Sequence, residues 1–182
     1  MTGRERVREG RPADLPTLQA IQATVLAEPW QELLAVAVDG PPILLVATER
    51  SDHDVIEPDN LGGSGSDNFG GSGSDDQAVS DERGDAPVGY ALAVSDGDDE
   101  AAYLAELAVS PAHQGSGHGS ALLDALLDRL EGKGVEELRV TVRTVDEQAR
   151  AFYQDRGFET RERIPDHYET GDGLLLARDV SE

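Results

Sequence analysis

From Tyr103 to Leu130 the chain passes from an apolar run, Tyr103 to Val109, across Ser110-Pro111 and alternate glycines at 115, 117 and 119 into a leucine-striped helix pattern. This unit limits the fold more than any other. A strand feeding a long helix through so short a turn belongs to a layered α/β domain. Leu122, Leu123, Leu126, Leu127 and Leu130 make the stripe to be buried, with Asp124, Asp128, Arg129 and Glu131 on the wet face. Gly132 and Gly134 end the helix. Around this unit the patterns alternate. Val7 to Arg11 reads as a first strand, and Asp14 as the cap of a helix carrying Leu15, Leu18, Ile21 and Val25. Trp30 to Val38 reads as a short helix, with a turn at Asp39-Gly40-Pro41. Ile43 to Thr48, Val88 to Val94, Leu138 to Val142, Phe158 to Arg163 and Gly173 to Arg178 read as strands, with Ser95 to Glu100 as a turn. Thr144 and Glu147 form a capping box for a helix that brings Ala149, Phe152, Tyr153 and Arg156 to neighbouring positions before Gly157.

Charge narrows the function. The 182 residues carry 37 acids against 15 bases, a formal net charge of −22, and the only lysine is Lys133. Such a surface argues against a nucleic-acid groove and against anionic membrane. No apolar stretch of ~18 residues exists to span a bilayer, and Met1 to Gly10 lacks a signal core, so a cytoplasmic protein is expected. Without cysteine there is no disulfide framework and no thiolate chemistry. Acid enrichment with lysine depletion predicts a protein that works in strong salt, in the cytoplasm of a halophile, where screening relieves self-repulsion. The length suits a single domain over residues 1–182. Residues 51–86 stand apart: ten acids, one base and a tandem Gly-Gly-Ser-Gly-Ser-Asp repeat read as a disordered insertion.

Two stretches carry chemistry. In Gln114-Gly115-Ser116-Gly117-His118-Gly119-Ser120, glycines leave backbone N–H groups unobstructed at a helix start, where the dipole is positive, which reads as a pyrophosphate cradle or, in the other reading, a flexible strand-to-helix turn. No Gly-Lys-Ser/Thr follows, so it is not a P-loop. In the second stretch Tyr153 follows the core residue Phe152 and presents a phenol that must find a partner if buried, a packed tyrosine with a satisfied hydroxyl being the other reading. His113 and His118 lack supporting carboxylate or thiolate ligands in sequence, so no metal is expected.

Together, Val-x-Pro-x-x-Gln-Gly-x-Gly-x-Gly at 109–119 and Ala-x-x-Phe-Tyr-x-x-x-Gly-Phe at 149–158 resemble the GCN5-related N-acetyltransferases. The N-terminal Val7-Arg-Glu-Gly-Arg-Pro-Ala-Asp14-Leu is similar to that family's first strand and helix. The resemblance extends over the chain outside the acidic segment. It implies a mixed, mostly antiparallel sheet of about seven strands with flanking helices, splayed near the fourth strand, with acetyl-CoA in the splay. It implies that backbone groups of Leu107, Ala108 and Val109 bind the pantetheine and polarise the acetyl carbonyl. By the same resemblance Gln114 to Ser120 bind the pyrophosphate, Asp146 stands where an Asn often touches the CoA arm, and Tyr153 protonates the leaving thiolate.

Glu106, one residue before the thioester platform, is a candidate to take the amine proton or hold a cationic substrate; a solvent-facing Glu is the other reading, with Ala105 and Leu107 on the opposite face. The run Arg163 to Leu176 resembles bacterial and archaeal enzymes that acetylate protein N-termini, which places Tyr168 at the acceptor. Those relatives tend to carry a catalytic Glu on the fifth strand, where this chain has Thr141. An α-amine of pKa ~7.8 is roughly 10–20% neutral at pH 7, a lysine below about 0.1%, so a weak base suffices for N-termini. The expected partners are acetyl-CoA and an amine acceptor, favoured as a protein N-terminus, in a monomer or homodimer. A small amine or polyamine is the alternative acceptor, and a CoA-binding sensor without turnover the alternative class.

Overall fold

The computed structural model describes residues 7–49, 86–95 and 100–181. The expected insertion, 51–86, lies outside these apart from Ala86, as does most of the expected turn at 95–100. Strands β1 (Val7–Glu9), β2 (Ile43–Glu49), β3 (Ala86–Ser95), β4 (Ala101–Val109), β5 (Glu137–Arg143), β6 (Glu159–Tyr168) and β7 (Gly171–Asp179) form one sheet in the order β1-β2-β3-β4-β5-β7-β6. Helices α1 (Leu15–Val25) and α2 (Gln31–Ala37) cover one face, and α3 (His118–Glu131) and α4 (Glu147–Gln154) belong to the other.

Two cores result. The five leucines of α3 pack with Leu104, Leu138 and Leu176, while Leu18, Ile21 and Leu34 pack with Val46, Tyr90 and Leu92. Each fully buried leucine contributes roughly 1.5–3 kcal/mol of transfer free energy, so the α3 stripe anchors its face. β6 is the outer strand beyond β7. It is mostly exposed, and its arginines, glutamates and Pro165 suit an edge that must not recruit another strand.

All sheet neighbours are antiparallel except β4 and β5. The α3 crossover between them makes that pair parallel. It is short: Ala101–Leu104 face Glu137–Val140, and beyond that the strands part. β4 stays with β3 as far as Val109, and β5 with β7 as far as Arg143. The register to β3 jumps from Leu92↔Glu106 to Ala93↔Leu104, which leaves Ala105 without a partner as a bulge. Strict alternation would put Leu104 and Glu106 on one face. The bulge separates them: Leu104 lies in the α3 core, whereas Glu106 bonds Gln22 of α1 and Ala108 lies in the α1/α2 core.

Two expected caps differ. Asp14 precedes α1 but makes no cap bond. Pro16 has no N–H to offer in the first turn, and the carboxylate instead accepts two bonds from Arg8 at 2.7 and 2.8 Å and one from Arg11 N at 2.8 Å. At α4 the cap is Asp146, not Thr144: Asp146 Oδ1 accepts from Ala149 N at 2.9 Å. The turn after β5 carries the helix start two residues further than the Thr144–Glu147 spacing suggests, while Thr144 N bonds Asp172 O.

Asp14 ties β1 to the start of α1, and the Arg8 bonds hold its carboxyl below the ordinary value of 3.8 against the opposing effect of burial. A depressed native pKa stabilises above the unfolded value and ceases to do so as pH falls through the native one. Asp14→Ala is therefore expected to lose about 1–3 kcal/mol near neutral pH. In denaturant titrations the gap to the parent should narrow only below pH ~4.

Candidate functional site

Where β4 and β5 part, a cleft of about 320 Å³ opens. Leu104 to Leu107 line one wall and Val140 to Arg143 the other, with Ala149 and Tyr153 of α4, Tyr168 of β6 and the end of α1 completing it. Past Leu104 the β5-facing edge of β4 has no strand partner among the described residues, so of the expected platform Leu107 and Val109 turn backbone groups to the open edge, while those of Ala108 face β3. Its other edge is held close by β3. A Cβ on Gly89 would stand 2.8 Å from Ala108 O, so only glycine lets β3 approach the platform this closely.

The glycine loop sits at the end of that platform. After the short 3-10 turn Pro111–His113, Gly115 (φ 78°) and Gly117 (φ 87°) take left-handed conformations, with exposed Ser116 between them. Gly117 is the N-cap of α3, and the first intrahelical bond is Ala121 N to Gly117 O. The N–H groups of His118, Gly119 and Ser120 thus remain as the unpaired donors of a helix start. Gln114 turns inward: its Nε2 donates to Val109 O at 2.9 Å, which braces the loop against β4. The histidines have separate roles. His118 is buried, and His113 Nε2 pairs with Glu49 at 2.8 Å. Among the described residues no cluster of three or more His, Asp or Glu is arranged for a metal.

Tyr153 is 6% exposed, with its ring edge-on to Phe152 at 5.1 Å and to Phe158 at 5.3 Å. Its hydroxyl has no hydrogen-bond partner among the described residues. Burial, helped by the charges of Tyr168 and Asp146, pushes the phenol well above its ordinary value, and Arg156 pulls the other way. Tyr168 donates to Thr141 O at 2.9 Å and lies under Arg143, whose guanidinium is 5.0 Å from the ring centroid and pairs with Glu28 at 2.6 Å. Burial pushes the Tyr168 phenol up to about 12.

Glu106 is not solvent-facing. It is 6% exposed and accepts Gln22 Nε2 on both oxygens at 3.1 and 2.9 Å, Trp30 N at 2.7 Å and Tyr90 OH at 2.8 Å. A carboxylate has about four lone-pair sites, and these donors occupy them. Burial and the adjacent Glu106 charge push Tyr90 far above its ordinary value, so it stays a donor. Leu107 packs against the α3 core, opposite Glu106, whereas Ala105, expected on that same face, packs against the α1/α2 core on the Glu106 side because the bulge breaks the alternation.

Two features carried no sequence signal of their role. Gln22 falls on the helical stripe between Ile21 and Val25 and gives no sign that it meets a carboxylate 84 positions away. Arg156 lies one turn after Phe152, and that spacing is the only hint of its contacts. Its guanidinium stacks on Phe152 at 3.8 Å, donates to Phe152 O at 2.7 Å and also donates to Ser120 Oγ in the first turn of α3.

Relatives share this architecture. The family model "Acetyltransferase (GNAT) family" matches residues 49–158. The [ribosomal protein bS18]-alanine N-acetyltransferase of Escherichia coli K12 is 37% identical over 84 residues, 44% of this chain and 57% of that protein, so the match spans little more than half of the curated relative. The crystal structure of the ribosomal-protein-S18-alanine N-acetyltransferase from Escherichia coli superposes with a TM-score of 0.69 at 24% identity, covering 97% of this chain and 94% of that one. Arabidopsis thaliana NAA60, solved with acetyl-CoA, superposes with a TM-score of 0.72 at 15% identity, covering 97% and 98%. With more than half of its length inside the family model, and with the parting of β4 and β5 and the buried Tyr153 in one cleft, this chain belongs to the GNAT family of acetyltransferases.

Proposed function

We propose that the chain transfers the acetyl group of acetyl-CoA to the α-amine of a protein N-terminus by direct attack. The carrying observation is the position of Tyr153 beside the unpaired edge of β4: a buried phenol with a free hydroxyl, in the cleft between β4 and β5, with the glycine loop following β4 in the chain. The partial match to the bS18-alanine enzyme supports an N-terminal acceptor.

In this reading the pyrophosphate rests on the N–H groups of Gly115 to Ser120. Gln114 holds that loop by its bond to Val109 O, and Ser116 lets the chain turn between two left-handed glycines. The acetyl thioester lies along Leu107 to Val109, whose backbone donors polarise the carbonyl. The neutral amine attacks that carbon, the new C–N bond forms and the C–S bond breaks. Tyr153 gives its proton to the leaving sulfur and recovers one from water. The amine loses its surplus proton to water in the open cleft.

Glu106 acts through its charge. With its lone pairs taken by Gln22, Trp30 and Tyr90 it holds the acceptor wall and draws the cationic amine inward. Asp146 caps α4 and so fixes Tyr153. Tyr168 packs along the acceptor at the cleft mouth. The acidic lining, Glu28 with Glu106 and Asp146, also suits a small polyamine, which is the competing acceptor.

Mass spectrometry after incubation with acetyl-CoA and a mixed panel of N-terminal peptides and polyamines decides the acceptor. Acetylated peptide α-amines are expected; polyamine products alone would overturn the N-terminal assignment. Tight CoA binding without turnover on any amine would favour a sensor. Tyr153→Phe is expected to lower kcat by about 10²–10⁴-fold while acetyl-CoA affinity persists; equal turnover would remove Tyr153 from the acid role. The pH profile of kcat/KM should rise as the acceptor amine deprotonates near ~7.8 and then level off. It should show no alkaline fall up to the phenol's ordinary value of 10.0, because burial keeps Tyr153 protonated there.

A further inference from the structure

Arg156 has no part in the steps above, yet its surroundings are specific. It is half-buried, and no carboxylate lies within 4 Å of it among the described residues, in a chain with 37 acids. Its guanidinium plane is fixed by stacking 3.8 Å from the Phe152 centroid. The same ring lies 3.5 Å from where a Cβ on Gly119 would be, so Arg156 is held against the first turn of α3. There it donates to Ser120 Oγ, the third residue of that helix.

Electrostatically this is an unexpected place for a cation. The start of α3 already concentrates positive charge through its unpaired N–H groups, and a cation near it is unfavourable. The bond to Phe152 O at the end of α4 offsets part of this. An anion shared by the N–H groups and the guanidinium would turn the repulsion into a joint attraction. Arg carries five N–H donors in a rigid fork that matches phosphate oxygens. Among the described residues only two donor atoms are engaged, by Phe152 O and Ser120 Oγ.

We propose that Arg156, oriented by Ser120, clamps a phosphate group of the CoA nucleotide arm, and so adds a side-chain cation to the backbone cradle of Gly115 to Gly119. The inference rests on acetyl-CoA being the donor. Short-range bidentate bonding also suits strong salt, which screens longer-range attraction but leaves direct contacts largely intact.

The test compares three donors, acetyl-CoA, its 3′-dephospho form and S-acetylpantetheine, by kcat/KM, with calorimetric Kd for CoA and 3′-dephospho-CoA. Arg156→Gln should weaken CoA binding by about tenfold or more, in line with the loss of a charge-assisted bond. Arg156→Lys should recover part of the loss, and Ser120→Ala should lose less with the same donor pattern. S-acetylpantetheine, which lacks the phosphates, should react equally with parent and variants. An Arg156→Gln loss that persists with 3′-dephospho-CoA assigns the pyrophosphate; a loss confined to CoA assigns the 3′-phosphate. An equal loss with S-acetylpantetheine would mark a purely structural role and overturn the clamp, as would unchanged CoA affinity in a folded Arg156→Lys and Arg156→Gln pair. Failure of the parent itself to bind CoA would instead overturn the donor assignment on which the clamp rests.

Discussion

Beyond Leu104 and Val140 the two parallel strands share no ladder, because each is held by its other neighbour: β4 by β3, and β5 by β7. An unpaired strand edge is normally a hazard, since its N–H and C=O groups recruit other chains. Here the edge lies inside the molecule, roofed by α4 and the end of α1, and only a ligand of suitable width can complete it. The glycine loop gains its importance from this parting. Without it the free amides of α3 would adjoin a closed sheet, and Tyr153 would face another side chain.

The same region gathers an unusual concentration of polar groups for a site between two apolar cores. Glu106 is deeply buried yet surrounded by donors from α1, from the segment before α2 and from β3. Buried carboxylates persist when their lone pairs are matched, and this one links three segments that no apolar contact would align so specifically. The bulge at Ala105 makes the arrangement accessible, since it turns Glu106 away from the leucines of α3. A net charge of −22 therefore coexists with charge that is placed individually: one buried carboxylate on the cleft wall and one arginine beside the loop.

Much of the architecture was legible. The stripe Leu122 to Leu130 could only be a helix with one buried face, and the short apolar runs around it could only be strands. The place of the glycine loop at the start of α3 and of Tyr153 on α4 was readable because each depends on residues near one another in sequence. The bulge was hidden, since the burial of β4 alternates without a break from Ala101 to Val109 even as the faces exchange cores. The caps were misread because Asp14 and Thr144 satisfy the local pattern while Pro16 and the turn after β5 redirect the bonds. Gln22 and Arg156 depend on tertiary neighbours, and no periodicity announces a partner that arrives from another layer of the fold.

Gln114 offers a last consequence. Its side chain, the one polar arm in the loop long enough to reach outward, is instead tied to the carbonyl of Val109. That bond ties the loop to the end of β4 within the fold itself, so whatever ordering it supplies belongs to folding. If the loop is the cradle proposed above, a loop braced in this way leaves binding to fit and desolvation. Residence time, more than arrival rate, is then the quantity through which changes in this loop would be felt.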